Sequence, residues 1–193
     1  MIISFEGING SGKSTLSRLV ADRLKEEGLN VLYLRYPKEP INFGNKNNKT
    51  LVKLFTDQMK ADVPAITAHI ASGGVVIMSR SIFSTQIYQT EGKEDEKHLR
   101  AIVRDSGIPA PNVVILLDGD PEMLASRIPE GEKDKYEKNM DFQKRARAKY
   151  LAMFKEKSPN TQWALFDATK PVDRSLHDIM FLMRFYIKHE LPE

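Results

Sequence analysis

A chain of 193 residues is long enough for one domain with a full apolar core and too short for two independent ones. With 41% hydrophobic and 28% charged residues, and 29 basic against 26 acidic side chains for a net charge of +3, it fits neither a disordered, collagen-like or membrane chain nor a nucleic-acid-binding surface, while small anionic ligands stay open. The absence of cysteine removes disulfides, thiol nucleophiles and cysteine metal sites, and the histidines at 69, 98, 177 and 189 lack zinc-motif spacing.

Ile2, Ile3 and Phe5 form a short apolar run stopped by Gly7 and Gly10, which predicts a buried strand entering a tight turn. Because that strand starts at the first residue, no secretory or organellar leader is expected and the chain reads as cytosolic. From Lys13 to Glu27, Leu16, Leu19, Val20 and Leu24 fall at helical spacing and Gly28 supplies a stop. A second strand is predicted from Asn30 to Arg35, ended by the turn Tyr36-Pro-Lys-Glu-Pro40. After a loop rich in Asn and Lys, residues 50–71 read as helical, with two segments meeting near Pro64, before Gly73-Gly74 and a third strand at Val75–Met78.

Residues 82–106 are polar and mostly helical, and Pro109 and Pro111 mark a loop. Val113–Leu117 is a fourth buried strand ending at Asp118, and Pro121 opens another helix. Residues 128–138 are nearly all charged or turn-forming, a mobile connection to a helix over 139–157. Gln162–Phe166 reads as a fifth strand and Val172–Ile187 as a closing helix. Apolar strands alternating with helices predict an α/β domain with a parallel sheet covered on both faces, spanning residues 1–193 as one unit.

The strongest local signal is Gly7-Ile-Asn-Gly-Ser-Gly12-Lys13-Ser14, which satisfies G-x-x-x-x-G-K-[ST] between a predicted strand and a predicted helix. Glycines let successive amides turn toward a phosphate, and the helix start adds partial positive charge. Lys13 would reach the β- and γ-phosphates and Ser14 would offer a hydroxyl to Mg²⁺, so ATP with Mg²⁺ is the expected cofactor. The candidate cofactor-binding residues here are Gly7, Asn9, Gly10, Ser11, Gly12, Lys13, Ser14 and Thr15.

The extended segment Phe5-Glu-Gly-Ile-Asn-Gly-Ser-Gly-Lys-Ser-Thr15 resembles the opening of the thymidylate kinases, F-E-G-x-D-G-x-G-K-[ST]-T. Four further blocks follow in that family's order. Ser79-Arg80-Ser-Ile-Phe-Ser84-Thr-Gln86-Ile-Tyr88-Gln89 resembles D-R-[YH]-x-x-S-x-x-A-[YF]-Q, and Pro111 to Asp118 resembles P-D-L-v-i-x-L-D. Asp134-Lys-Tyr-Glu137 resembles D-R-[FY]-E, and Phe166-Asp167-Ala168-Thr169 resembles the D-A-[ST] turn that contacts adenine.

The resemblance implies the P-loop nucleoside monophosphate kinase fold, with a five-stranded parallel sheet, helices on both faces and a short lid at about 128–138. It implies transfer of the γ-phosphoryl group of MgATP to a pyrimidine deoxynucleotide, dTMP in the family, by a homodimer that binds neither nucleic acid nor membrane. Lys13, Arg80 and Arg127 are the expected catalytic residues. Lys133 and Lys135 of the lid, with Asp167, Ala168 and Thr169, would complete the ATP site. Because Gly10 holds the place where some members carry a loop arginine, the lid must supply that charge. Asn9, Lys38, Phe55, Met59, Arg80, Ser84, Gln86 and Tyr88 are the candidate acceptor-binding residues; for Phe55, core packing is the alternative.

Three positions depart from the family pattern: Asn9 and Ser79 each replace an Asp, and Met59 stands where an Arg reads thymine. The first brings a hydrogen-bonding amide without charge, the second loses a carboxylate near the metal, and thioether sulfur cannot replace guanidinium donors. Base reading is expected to move, to Lys60 or Gln58, and to become looser. Two alternatives therefore accompany the dTMP reading: a kinase for another or 5-modified nucleoside monophosphate, and an ATP-binding regulatory protein with little catalysis.

Overall fold

The structure, a computed structural model, describes residues 1–38, 46–132, 136, 138–156 and 160–190. Five strands form one parallel sheet in the order β2-β3-β1-β4-β5: β1 (Ile2–Glu6), β2 (Val31–Arg35), β3 (Val75–Ser79), β4 (Val113–Asp118) and β5 (Gln162–Asp167). Between and after them run α1 (Lys13–Glu26), α2 (Asn48–Ala71), α3 (Ile82–Gln89), α4 (Lys93–Ser106), α5 (Pro121–Ala125), α6 (Met140–Glu156) and α7 (Val172–Glu190). A short 3₁₀ turn, Glu130–Glu132, lies between α5 and α6.

The central strands read as continuous apolar runs because each alternate side chain enters a different core. Ile3 and Phe5 of β1, with Val75 and Ile77 of β3, join Leu16, Val20 and Leu24 of α1 and Ile179 and Met183 of α7. Ile2, Val76 and Met78 point the other way, against Val52, Met59 and Ile66 of α2 and Leu99 of α4. Each such aliphatic side chain, fully buried, contributes roughly 1.5–3 kcal/mol. No helix among the described residues is long and apolar enough to cross a membrane.

Two helical expectations change. The predicted break near Pro64 is absent: α2 runs unbroken through it. A proline removes one N–H from the ladder, while Met59 and Ile66 on either side anchor one continuous face to the sheet. The helical stretch 82–106 instead divides at Thr90–Gly92. Thr90 Oγ1 donates to Gln86 O at 2.5 Å, and Lys149 of α6 donates to the carbonyls of Ile87 and Thr90, satisfying the end of α3.

Parallel order places every strand's C-terminal end on one edge of the sheet, where open α/β folds bind ligands. That edge carries the loop after β1, Arg35 at the end of β2, Arg80 after β3 and Asp118 at the end of β4.

Candidate active site

The loop between β1 and α1 is shaped by close backbone packing. A Cβ on Gly7 would stand 2.4 Å from Leu117 O, and one on Gly10 would stand 2.1 Å from Leu124 O, so neither position accepts a side chain. Gly12 is different: its φ is 82° but nothing lies within 4 Å of where a Cβ would be, leaving open space above the start of α1. Asn47, Ser81 and Asp120 cap α2, α3 and α5 with their side chains. No side chain caps α1, so its first amides keep their donors for a ligand. Lys13 Nζ donates to Ile8 O at 3.1 Å, and Ser14 Oγ meets Ser79 Oγ at 3.2 Å. Ser11 Oγ is buried beneath the loop without a partner, and Thr15 is exposed.

Above the loop lies a cavity of about 290 Å³ lined by Asn9, Lys13, Ser14, Arg35, Tyr36 and Arg80 among others. Arg80 takes the left-handed conformation, φ 71°, an unusual state for a side-chain-bearing residue that must be held by its surroundings. Its guanidinium donates to Asn9 Oδ1 at 2.5 Å and to Ser84 Oγ at 3.4 Å, and lies 4.9 Å from the Tyr88 ring centroid. Tyr88 OH donates to the same Asn9 oxygen at 3.3 Å. Asn9 of the phosphate loop and Arg80, Ser84 and Tyr88 of the later block therefore form one contact network. Gln86 is half-buried on α3.

The turn after β2 is pinned to α2. Lys38 Nζ pairs with Asp62 Oδ1 at 2.5 Å, Tyr36 OH donates to Asp62 Oδ2 at 2.8 Å, and Lys38 N donates to Gln58 Oε1 at 2.7 Å. Burial first, and the Asp62 carboxylate second, push the Tyr36 phenol up, so it stays a protonated donor. Phe55 is half-buried, whereas Met59 is 3% exposed and packs in the cluster under α2. Gln58 is occupied by the Lys38 amide, and Lys60 lines a groove between α2 and α4, away from the phosphate loop.

Arg127 holds the other end of the site. Its guanidinium donates to Ala168 O at 2.7 Å and Thr169 O at 3.4 Å, tying the end of α5 to the turn after β5. In that turn Asp167 Oδ1 accepts from Thr169 N and Thr169 Oγ1 at 2.8 and 2.6 Å, and these bonds hold its carboxyl below the ordinary value. Lys133, Lys135 and most of the Asp134–Glu137 block lie outside the described residues.

Four residues that sequence reading left without a role complete the site. Glu6 is fully buried and accepts four hydrogen bonds beneath Arg80. Tyr150 of α6 supplies one of them; Gln143 of the same helix accepts from Asn9 N at 3.3 Å. Arg35 lines the cavity and has no hydrogen-bond or ion-pair partner among the described residues. An acid ending an apolar strand was the available signal for Glu6; Tyr150 and Gln143 looked like ordinary members of a helical face.

An uncapped helix start, a glycine cradle, a lysine and two arginines around one cavity fit an anionic, phosphate-bearing ligand. The metal side is spare: Ser14 and Ser79 present hydroxyls, and no cluster of acidic or histidine groups able to hold a metal occurs among the described residues. A divalent cation arriving with a nucleotide would find the Ser14 hydroxyl at the start of α1.

The family model described as thymidylate kinase matches residues 5–179. The chain belongs to the thymidylate kinase family. It is thus an ATP-dependent phosphotransferase of the nucleoside monophosphate kinase class. The probable thymidylate kinase of Archaeoglobus fulgidus is 28% identical over 97% of this chain and 96% of its own length. That of Sulfolobus acidocaldarius is 28% identical over 97% and 98%. Probable thymidylate kinase 1 of Saccharolobus solfataricus is 33% identical over 80% and 84%. Within the family, Asn9 and Ser79 keep hydrogen-bonding roles without the charge of an Asp: one receives Arg80 and Tyr88, the other meets Ser14.

Proposed function

We propose that this enzyme transfers the γ-phosphoryl group of MgATP to dTMP, giving dTDP, or to a closely related pyrimidine deoxynucleoside monophosphate. The observation that carries this reading is one cavity bordered by the open start of α1 with Lys13 on one side and by Arg35, Tyr36 and Pro37 on the other, with Arg80 lining it as well. MgATP, when bound, supplies the transferable phosphoryl group and metal charge that offsets its negative oxygens.

The chain supplies position and charge. The loop amides and Lys13 hold the donor phosphates, and Ser14 gives the metal its hydroxyl. Arg80, fixed by Asn9 and Tyr88, presents two N–H edges to donor and acceptor phosphates and stabilises charge as the group moves. Arg127 braces the Asp167–Thr169 turn that borders adenine, and Lys133 and Lys135 add charge when the lid closes. On the acceptor side the reading assigns Ser84, Gln86 and Tyr88 of α3, Phe55 of α2 and Lys38 at the turn after β2. The homodimer belongs to the same reading and rests on the family resemblance, and the cytosolic location rests on the cysteine-free composition.

A second reading keeps the reaction and changes the acceptor base. It is favoured by Met59, sequestered in an apolar cluster, and by Gln58, whose amide oxygen is already used. An apolar base pocket discriminates far less than a hydrogen-bonding one. ADP release from MgATP, measured with each deoxy- and ribonucleoside monophosphate and with 5-substituted pyrimidines beside a Lys13→Ala control, separates the two. A dominant dTMP rate abolished by Lys13→Ala supports the first; preference for another acceptor supports the second. ATP binding with no turnover on any acceptor refutes both and leaves a regulatory nucleotide-binding protein.

A further inference from the structure

Glu6 ends β1 at the floor of the site, outside the lining of the cavity, and reaches the proposed acceptor-binding residues through the hydrogen bond it accepts from Ser84. Taking a carboxylate out of water is expensive unless hydrogen bonds replace its hydration. Here they do. Oε1 accepts from Ser81 N and Ser81 Oγ, both at 2.7 Å, and Oε2 accepts from Ser84 Oγ at 2.6 Å and Tyr150 OH at 2.9 Å.

These donors come from two places. Ser81 and Ser84 form the first turn of α3, directly after the left-handed Arg80. Ser84 Oγ also accepts from the Arg80 guanidinium, so one hydroxyl lies between the arginine and the carboxylate. Tyr150 belongs to α6, the helix whose Gln143 accepts from the backbone of Asn9 and whose chain follows the charged connection after α5.

We propose that Glu6 is the positioning residue of Arg80, its carboxylate fixing the turn that carries the arginine and joining that turn to α6. The proposal rests on the reading that Arg80 acts on the phosphates. An apolar side chain in the same space would remove the shared acceptor of Ser81, Ser84 and Tyr150, and a glutamine would keep only one of the two accepting oxygens. A glutamine also presents an N–H pair toward hydroxyls that are already donating.

The test is a double-mutant cycle in the full-length enzyme, pairing Glu6→Gln with Arg80→Lys. Alone, Glu6→Gln is expected to lower kcat by about tenfold or more, the scale of losing hydrogen bonds to a charged group, while MgATP affinity measured without acceptor stays within about twofold of the parent. In the Arg80→Lys background the same change is expected to cost less than about threefold. The Arg80 guanidinium resonances, expected in the parent to be shifted by the Tyr88 ring and slowed in exchange by the bonds to Asn9 and Ser84, should collapse into the envelope of exposed arginines in Glu6→Gln. Equal kcat losses in both backgrounds, or an unchanged Arg80 resonance, would overturn the proposal and make Glu6 merely structural. Should Glu6→Gln not fold, Tyr150→Phe and Ser84→Ala enter the same cycle with smaller losses expected. A parent enzyme with no turnover refutes the kinase reading instead, and the arginine resonance then still decides the role of Glu6.

Discussion

Gly10 and Gly12 share a backbone conformation but not an environment, which separates two reasons for glycine in one loop. Their φ values are 77° and 82°, so alanine at either pays about 1–2 kcal/mol for the left-handed conformation. At Gly10 the added carbon would also stand 2.1 Å from the carbonyl oxygen of Leu124, while at Gly12 it meets nothing within 4 Å. The Leu124 carbonyl is backbone in α5, so relief requires moving the loop or the helix by about 1 Å, an overpacking cost of about 1–3 kcal/mol. Gly10→Ala is therefore expected to melt lower than Gly12→Ala, by roughly 2–12 °C at about 2–4 °C per kcal/mol for a domain of this size. Nucleotide response runs the other way. The open space at Gly12 is where a phosphate enters, so Gly12→Ala is expected to lose most of the ATP-induced rise in Tm while its apo Tm falls only a few degrees. Differential scanning fluorimetry with and without MgATP reads both effects. Equal apo Tm losses for the two variants would refute the packing argument, and a full ATP response in Gly12→Ala would refute the placement of the phosphate.

Three further outcomes follow from single residues. Burial raises the Glu6 carboxyl above its ordinary 4.5 against the lowering effects of Ser81, Ser84, Tyr150 and Arg80; the folded state then binds more protons than the unfolded one, so this group's stabilisation is present below pH 4.5 and is lost as pH rises through the folded value. Urea unfolding from pH 4.5 upward should show that fall in the parent and lack it in Glu6→Gln, and parallel curves would refute it. Met59→Arg should not restore base reading: it buries a guanidinium among apolar side chains and is expected to cost about 3 kcal/mol or more, whereas Met59→Leu costs less than about 1.5 kcal/mol; a stable Met59→Arg enzyme with sharpened dTMP selectivity would contradict this. Arg35→Gln removes an unpartnered guanidinium from the cavity wall and is expected to raise the acceptor KM about tenfold, with the affinity of the free nucleoside unchanged; steady-state kinetics and nucleoside inhibition together check it.

What the sequence made legible was local. Strands β1, β3 and β4 are apolar runs of five or six residues bounded by glycine, proline or charge, and α1 and α7 carry unbroken helical periodicity, so neighbouring residues alone define them. The phosphate loop is likewise contiguous. The misreadings occurred where tertiary packing outweighed a local signal: Pro64 reads as a break but is spanned by a face anchored through Met59 and Ile66, and the polar stretch after Arg80 conceals a boundary that Lys149, from a helix far along the chain, makes stable. The hidden part of the site is nonlocal in the same sense. Glu6 and Tyr150 are 144 residues apart and Asn9 and Gln143 are 134 apart, and no periodicity or motif encodes those pairings.

The replaced acids show why residue identity alone misjudges this site. Reading Asn9 and Ser79 as lost carboxylates predicts two vacant roles, yet each position keeps a hydrogen-bonded place: Asn9 Oδ1 receives both Arg80 and Tyr88, and Ser79 Oγ faces Ser14 Oγ. What changes is the balance of charge. Among the residues that line the cavity, Lys13, Arg35 and Arg80 are cationic and none is acidic, and the nearest carboxylates are spent, Glu6 on three hydroxyls and an amide, Asp62 on Tyr36 and Lys38. Geometry at Arg80 is thus maintained by neutral acceptors and by a carboxylate one hydroxyl away, and among the described residues no acidic side chain pairs directly with its guanidinium. For a reaction whose two substrates are both polyanions, that arrangement concentrates attraction on the phosphates, while among the described residues Ser14 and Ser79 present hydroxyls to a cation.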